Sequence, residues 1–181
     1  MKPQSGFTML ELLIAVAIIG IAAGLAMPDL IGFMANYRLK DAASRLYSDM
    51  QNTKLNAIKQ NKDWAIVFNA GAGKYYICSD KGGDNSWDLD QNTIEKEVTI
   101  PDKSGVSFGH GSASKDATSA GGTSFSDDDI TFNDNYAIFN SAGSGSAGYV
   151  YLENNKKTTY AVGMESTGFI SIKKWNGSKW Q

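Results

Sequence analysis

The sequence predicts an α+β protein: one long N-terminal helix, apolar in its first half, packed on a head of antiparallel β-strands. Three observations carry this. From Leu12 to Pro28 no residue is charged. Between Leu39 and Ala57 apolar and small residues recur at alternating steps of four and three, a helical period. Beyond Asn61 the period falls to two. The chain has 181 residues, enough for one ordinary domain and an appendage. Its apolar content of 42% is near the average, but the first 27 residues hold most of the long apolar run. A formal net charge of -2 gives no general attraction for nucleic acid or anionic lipid.

Residues 1–6 form a short polar leader with one positive charge, Lys2. Residues 7–27 follow as an apolar helix, just long enough to cross a bilayer at about 20 residues per crossing. Lys2 on one side and a long polar domain on the other keep the start cytoplasmic. Three readings compete for this segment. A secretory signal would be cut near Gly24-Leu25-Ala26, but Glu11 sits inside the apolar run and the helical pattern continues past that cut. A plain anchor leaves Glu11 without a purpose, and an acid at membrane depth is by default a functional group awaiting a partner. Removal of the leader after Gly6 supplies one. Phe7 then gains a free amine four residues before Glu11, and amine and carboxylate of neighbouring subunits neutralise each other.

The run Gly6-Phe7-Thr8-Met9-Leu10-Glu11-Leu12-Leu13-Ile14 resembles the prepilin motif of type IV pilins and type II secretion pseudopilins. The resemblance implies a type IV pilin-like fold, cleavage by prepilin peptidase between Gly6 and Phe7, and N-methylation of Phe7. It implies that Glu11 guides assembly with other pilins on an inner-membrane platform. The protein is then expected to be single-pass in the inner membrane, with a periplasmic head, and to enter a filament after processing.

Residues 28–61 continue the helix. Pro28 removes one backbone hydrogen bond and is expected to kink it, as the same resemblance implies. Leu39, Ala43, Leu46, Met50, Thr53 and Ala57 form one stripe for core packing. Arg38, Asp41, Arg45 and Asp49 alternate in sign on the face opposite, where such pairs add a few tenths of a kcal/mol each. A helix over residues 7–60 would be roughly 80 Å long at ~1.5 Å per residue.

Residues 62–181 form the β-rich head. Trp64–Phe68 and Lys74–Cys78 flank a Gly-rich turn and read as a hairpin. Further strands are expected at Ile94–Ile100, Val106–Phe108, Ile130–Phe132, Tyr136–Phe139, Tyr149–Glu153, Thr158–Met164 and Phe169–Ile172, in an antiparallel sheet. The stretches Ser104–Ser126 and Asn140–Gly148 are nearly low-complexity and are expected to be mobile loops. Lys54–Asn61 leading into a strand, Phe139-Asn140-Ser141-Ala142-Gly143, and Gly168-Phe169-Ile170-Ser171-Ile172 resemble motifs of the GspH/FimT group of minor pseudopilins and minor pilins.

Two further constellations bear on ligands. Asp84, Ser86, Asp88, Asp90, Asn92 and Glu95 place oxygens at calcium-loop spacing, but Leu89 stands where such a loop needs glycine. A solvated acidic turn is the better reading, with no resident cofactor. The tail, with Lys173, Lys174, Trp175, Lys179 and Trp180, has the composition of a single-strand nucleic acid surface. Some relatives of the resembling family bind DNA through arginines after a glycine near the C-terminus; here Phe169-Ile170-Ser171 follow Gly168, so DNA is the lesser reading. One His and one Cys exclude a Ser/His/Asp set or a histidine-rich metal centre, and no enzyme is expected. Cys78 reads as a small buried hydrophobe and His110 as a surface loop residue.

Overall fold

The computed structural model describes residues 6–100, 105–118, 122 and 125–181, except for the side chains of residues 25–31. One helix, α1, spans Met9–Gln60. Among the described residues eight strands follow: β1 (Trp64–Asn69), β2 (Lys74–Asp80), β3 (Thr93–Thr99), β4 (Val106–Phe108), β5 (Tyr136–Phe139), β6 (Gly148–Asn154), β7 (Thr159–Met164) and β8 (Ile170–Lys174). The chain divides into two compact units, residues 1–34 and 35–181. The second half of α1 therefore belongs to the same unit as the strands. The kink expected at Pro28 falls among the residues whose side chains lie outside the described set.

Within 35–181 the helical stripe is the packing face. Leu39, Ala43, Leu46, Met50, Thr53 and Ala57 are all buried to within 1% of complete. The helix stops where Asn61 turns to φ 50°, a left-handed conformation that asparagine tolerates. The N–H of Lys62 then donates to Ala57 O at 3.2 Å, closing the last turn. Asp41 and Arg45 face solvent as a 3.5 Å pair. Asp49 does not share that face: it is only 6% exposed, because Tyr75 and Lys96 pack over it.

The strands make two antiparallel sheets where one was expected. Their orders are β3-β2-β1-β5 and β4-β6-β7-β8. The hairpin β1–β2 pairs Asn69 with Lys74, and Asn69 Oδ1 accepts the N–H of Ala72 within the turn. Ile130–Phe132 is not a strand. Ile130 makes a single bridge to Val150, and a 3₁₀ turn at Asn133–Asn135 begins at once. Ile130 and Phe132 are nonetheless buried, so burial and not ladder pairing accounts for their apolar character. One core joins α1 to both sheets, with Trp64, Ile66 and Phe68 of β1 meeting Val150 and Leu152 of β6 and Val162 and Met164 of β7.

The other faces of the two sheets are covered as well. Ala65, Val67 and Cys78 are capped by Trp87 from the acidic segment. Tyr149, Tyr151 and Ala161 are capped by Ala117 and Phe125, with Trp180 of the tail. The described parts of the stretch 104–126, expected as mobile loop, are thus pinned to the second sheet. Ala117 is buried there because the tyrosine rings supply the area that alanine lacks.

Candidate functional site

Residues 6–24 carry the expected processing and assembly positions. Phe7, Leu10, Leu13, Val16 and Ile19 are exposed, as are Leu12, Ile14, Ile18 and Ile21 on the other sides of the helix. A helix apolar all round is not a surface helix of a soluble protein; it requires lipid or other helices around it. Met9 to Gly24, the described part of this run, is shorter than the ~20 residues of a crossing. Among the described residues no helix is both long and apolar enough to span a membrane. Thr8 and Glu11 form a capping box at the start of α1. The N–H and Oγ1 of Thr8 both donate to Glu11 Oε2 at 2.9 Å, and the Glu11 N–H donates to Thr8 Oγ1 at 3.2 Å. Glu11 therefore holds a local structural task, which the sequence reading had not assigned to it.

In the head, the three motif segments converge. Lys54 on α1 donates from Nζ to Gly168 O at 2.9 Å. Gly168, at φ +82°, packs so closely on Gly143 that a Cβ would strike the Gly143 carbonyl. Gly143, at φ +79°, faces Ile58 Cδ1 and Lys54 Cε. Asn140 organises its loop by accepting the N–H groups of Ala142 and Ser144 at 3.1 Å. Leu55, Ile58 and Phe169 carry exposed apolar surface in these same segments.

A second constellation was missed from sequence. Asp49 on α1 accepts the Tyr75 hydroxyl at 2.7 Å and holds Lys96 Nζ at 2.7 and 2.8 Å on its two oxygens. The signal was present: Asp49 lies three residues after Leu46 and four before Thr53, on the edge of the buried stripe. Burial raises the Tyr75 phenol well above its ordinary range, and the bond to the Asp49 carboxylate adds to it.

The calcium candidates are arranged as local turns. Asp84 Oδ1 accepts the Ser86 N–H at 3.1 Å, and Asp88 Oδ1 accepts the Asp90 N–H at 3.0 Å. Glu95 Oε1 accepts from Ser79 Oγ at 2.5 Å. Asn92 ties the segment together, accepting the Leu89 N–H and donating to Lys81 O and Ser86 O. Leu89 adopts φ 75°, the conformation for which glycine is suited. Among the described residues no three His, Cys, Asp or Glu side chains converge on one point.

The basic and aromatic tail residues divide. Lys173 Nζ donates to Ala117 O and to the Tyr149 hydroxyl, both at 2.8 Å, and Trp175 is buried. Trp180 packs on Tyr151 and Trp175 and donates from Nε1 to Lys115 O at 2.7 Å. Lys174 and Lys179 remain at the surface. Cys78 is fully buried, and burial first, then the charge of Glu95, pushes its thiol up to about 11. His110 is not a bare loop residue: it pairs with Asp129 and stacks on Phe125.

A methylation-type N-terminal segment on a long helix, ahead of an α+β head, defines a class, and comparison with known proteins agrees with it. Residues 1–27 match the prokaryotic N-terminal methylation motif. Residues 42–168 match the family described as type II transport protein GspH, and the chain belongs to that family. A fimbrial protein of Pseudomonas aeruginosa is 33% identical over 118 residues, covering 65% of this chain and 66% of its own length. The pilin-like protein PilA1 of Thermus thermophilus is 34% identical over 86 residues, covering 47% of this chain and 54% of its own. The chain thus spans between about half and two thirds of these relatives' lengths. Among solved structures, the minor pseudopilin EpsH of the Vibrio cholerae type 2 secretion system aligns at 11% identity and TM-score 0.49, covering 75% of this chain and 95% of that one. The Pseudomonas aeruginosa type IV minor pilin FimU aligns at 12% identity and TM-score 0.48, covering 82% and 96%.

Proposed function

We propose that the chain is a minor pilin or pseudopilin that joins a type IV pilus or a type II secretion pseudopilus and supports filament initiation and secretion. The observation that carries this is a methylation motif leading into a helix that is apolar on every side and holds a single acid, Glu11, ahead of a GspH-family head. Prepilin peptidase cuts after Gly6, the amine of Phe7 is methylated, and the chain sits once in the inner membrane with its head in the periplasm. The inner-membrane assembly platform then draws it into the filament. There the Glu11 carboxylate meets the methylated amine of a neighbouring Phe7. The role is structural and not enzymatic.

Mass spectrometry of the mature chain tests the reading. A start at N-methylated Phe7 supports it. A start near Met27 would mean a secreted protein released by signal peptidase, and retention of residues 1–6 in working cells would remove the amine on which assembly depends.

A second reading, DNA uptake through the tail, has its support in the surface position of Lys174 and in Lys179 beside Trp180. Lys173 is already engaged by Ala117 and Tyr149. Unchanged binding of single-stranded DNA by the Lys174→Ala, Lys179→Ala double variant removes this reading.

A further inference from the structure

The chain leaves the edge of β6 after Gly109, whose N–H donates to Tyr151 O at 3.0 Å. It returns to the same edge at residues 129–131, where the Tyr151 N–H donates to Asp129 O and the Thr131 N–H to Tyr149 O. His110 is the first residue past the departure and Asp129 the first of the return. Their side chains meet, with His110 Nδ1 2.5 Å from Asp129 Oδ1. The imidazole stacks on Phe125 at 4.0 Å and 7°, and Phe125 stands edge-on to Tyr151 at 5.1 Å.

We propose that the His110–Asp129 pair is a protonation-sensitive clasp at the neck of this excursion, holding segments 110–118 and 125–130 against the tyrosine face of the second sheet. Histidine is the side chain that ordinarily changes charge between about pH 5 and 8. While His110 is protonated, Nδ1–H donates to a carboxylate as a charge-assisted bond, roughly twice as strong as a neutral one. That bond offsets part of the entropy of holding the two ends of a loop together. Asp127 and Asp128 flank Asp129 on the returning segment, Glu153 on β6 lies against Gly109 and is bonded by Lys157 at 2.9 Å, and Lys115 stands on the departing segment. The His110 side chain is 41% exposed, so its proton exchanges with solvent.

The backbone on either side of the clasp is held independently. Thr159 Oγ1 on β7 donates to His110 O at 2.8 Å, and the Tyr151 N–H on β6 donates to Asp129 O at 3.0 Å. Loss of the proton therefore loosens the segments without unfolding the sheet beneath. The charge-assisted bond of the clasp exists only while the imidazole carries both of its protons.

Hydrogen exchange of the full chain in detergent micelles, corrected for intrinsic exchange chemistry, tests this at about pH 5.5 and about pH 8. The amides of Ala113 and Ala117 report on the clasped segments, and those of Ala161 and Val162 in β7 are the reference. The expected result is a two- to five-fold loss of protection at Ala113 and Ala117 at the higher pH, the size of a partly exposed ion pair, with the reference unchanged. His110→Gln and Asp129→Asn are each expected to show the lower protection at both values. A wild-type chain with no differential loss overturns the proposal whether or not the variants fold, as does an unaltered pH dependence in either folded variant.

Discussion

Asp49 on α1 and Tyr75 on β2 are joined by a 2.7 Å hydrogen bond in which the phenol donates to a carboxylate that is only 6% exposed. Lys96 on β3 completes the arrangement from the solvent side, with its own side chain 47% exposed. Helix and sheet are therefore held in register by a polar contact as well as by the stripe from Leu39 to Ala57.

Asp49→Ala leaves the Tyr75 hydroxyl without its acceptor and is expected to lower stability by about 2–3 kcal/mol. Lys96→Ala, at the exposed end of the same contact, is expected to lower it by about 1 kcal/mol or less. Urea unfolding in detergent measures both. Equal effects for the two variants would contradict the assignment of the burden to the buried end.

The same contact makes stability fall in alkali. Unfolded tyrosine ionises near 10, but burial and Asp49 keep the Tyr75 proton on in the folded chain at higher pH. Above that point the unfolded state binds fewer protons than the folded one, so stability is full below about pH 10 and declines as pH rises beyond it. Cys78, raised from its ordinary range to about 11, begins the decline slightly earlier. Tyr75→Phe is expected to flatten the alkaline slope of the urea midpoint; an unchanged slope would show that Tyr75 ionises freely.

Gly168→Ala combines a left-handed backbone with a collision against the Gly143 carbonyl. It is expected to cost about 2–4 kcal/mol, the strain of a positive φ plus that of an overfilled contact. Gly177→Ala has a positive φ but open space around it, and only the strain of about 1–2 kcal/mol applies. Thermal melting of the two variants separates the two contributions.

Glu11 caps the helix with Thr8, and the proposed pairing with a neighbouring Phe7 amine is separated from that task by one pair of variants. Glu11→Gln keeps the capping box with Thr8, since glutamine serves at that position, but removes the charge. Glu11→Leu removes both. Both variants are expected to insert in the membrane and fail to enter filaments, as followed by fractionation and by recovery of sheared filaments. Normal incorporation of Glu11→Gln would mean that helix initiation, and not charge pairing, is what Glu11 supplies.

The residues that were legible in the sequence are those whose role is set by near neighbours along the chain. The stripe of α1 follows from a 3.6-residue period, and Trp64, Ile66 and Phe68 on the core face of β1 follow from a period of two. The placement of Asp49 among exposed charges failed because alternating signs at helical spacing indicate solvent only when nothing covers that face. Here Tyr75 and Lys96, 26 and 47 residues away, cover it. For the described residues of 104–126 the reading as mobile loop failed for a related reason. Composition measures how much area a segment can bury by itself, whereas Ala117 is buried and Phe125 half-buried against rings on β6.

Legible in the string alone were the helix, most of the strands and the N-terminal pattern: an apolar run interrupted by Glu11 four residues after Phe7, a helical stripe, and short alternating segments separated by turns. Local sterics and periodicity act over a few residues, and those are visible in a string. Tertiary structure alone decided that the strands part into two sheets, that Lys54, Gly143 and Gly168 meet at one junction, and that His110 closes on Asp129. Such contacts join residues 19 to 114 positions apart, and only the packing of a shared core chooses which of many distant pairs come together.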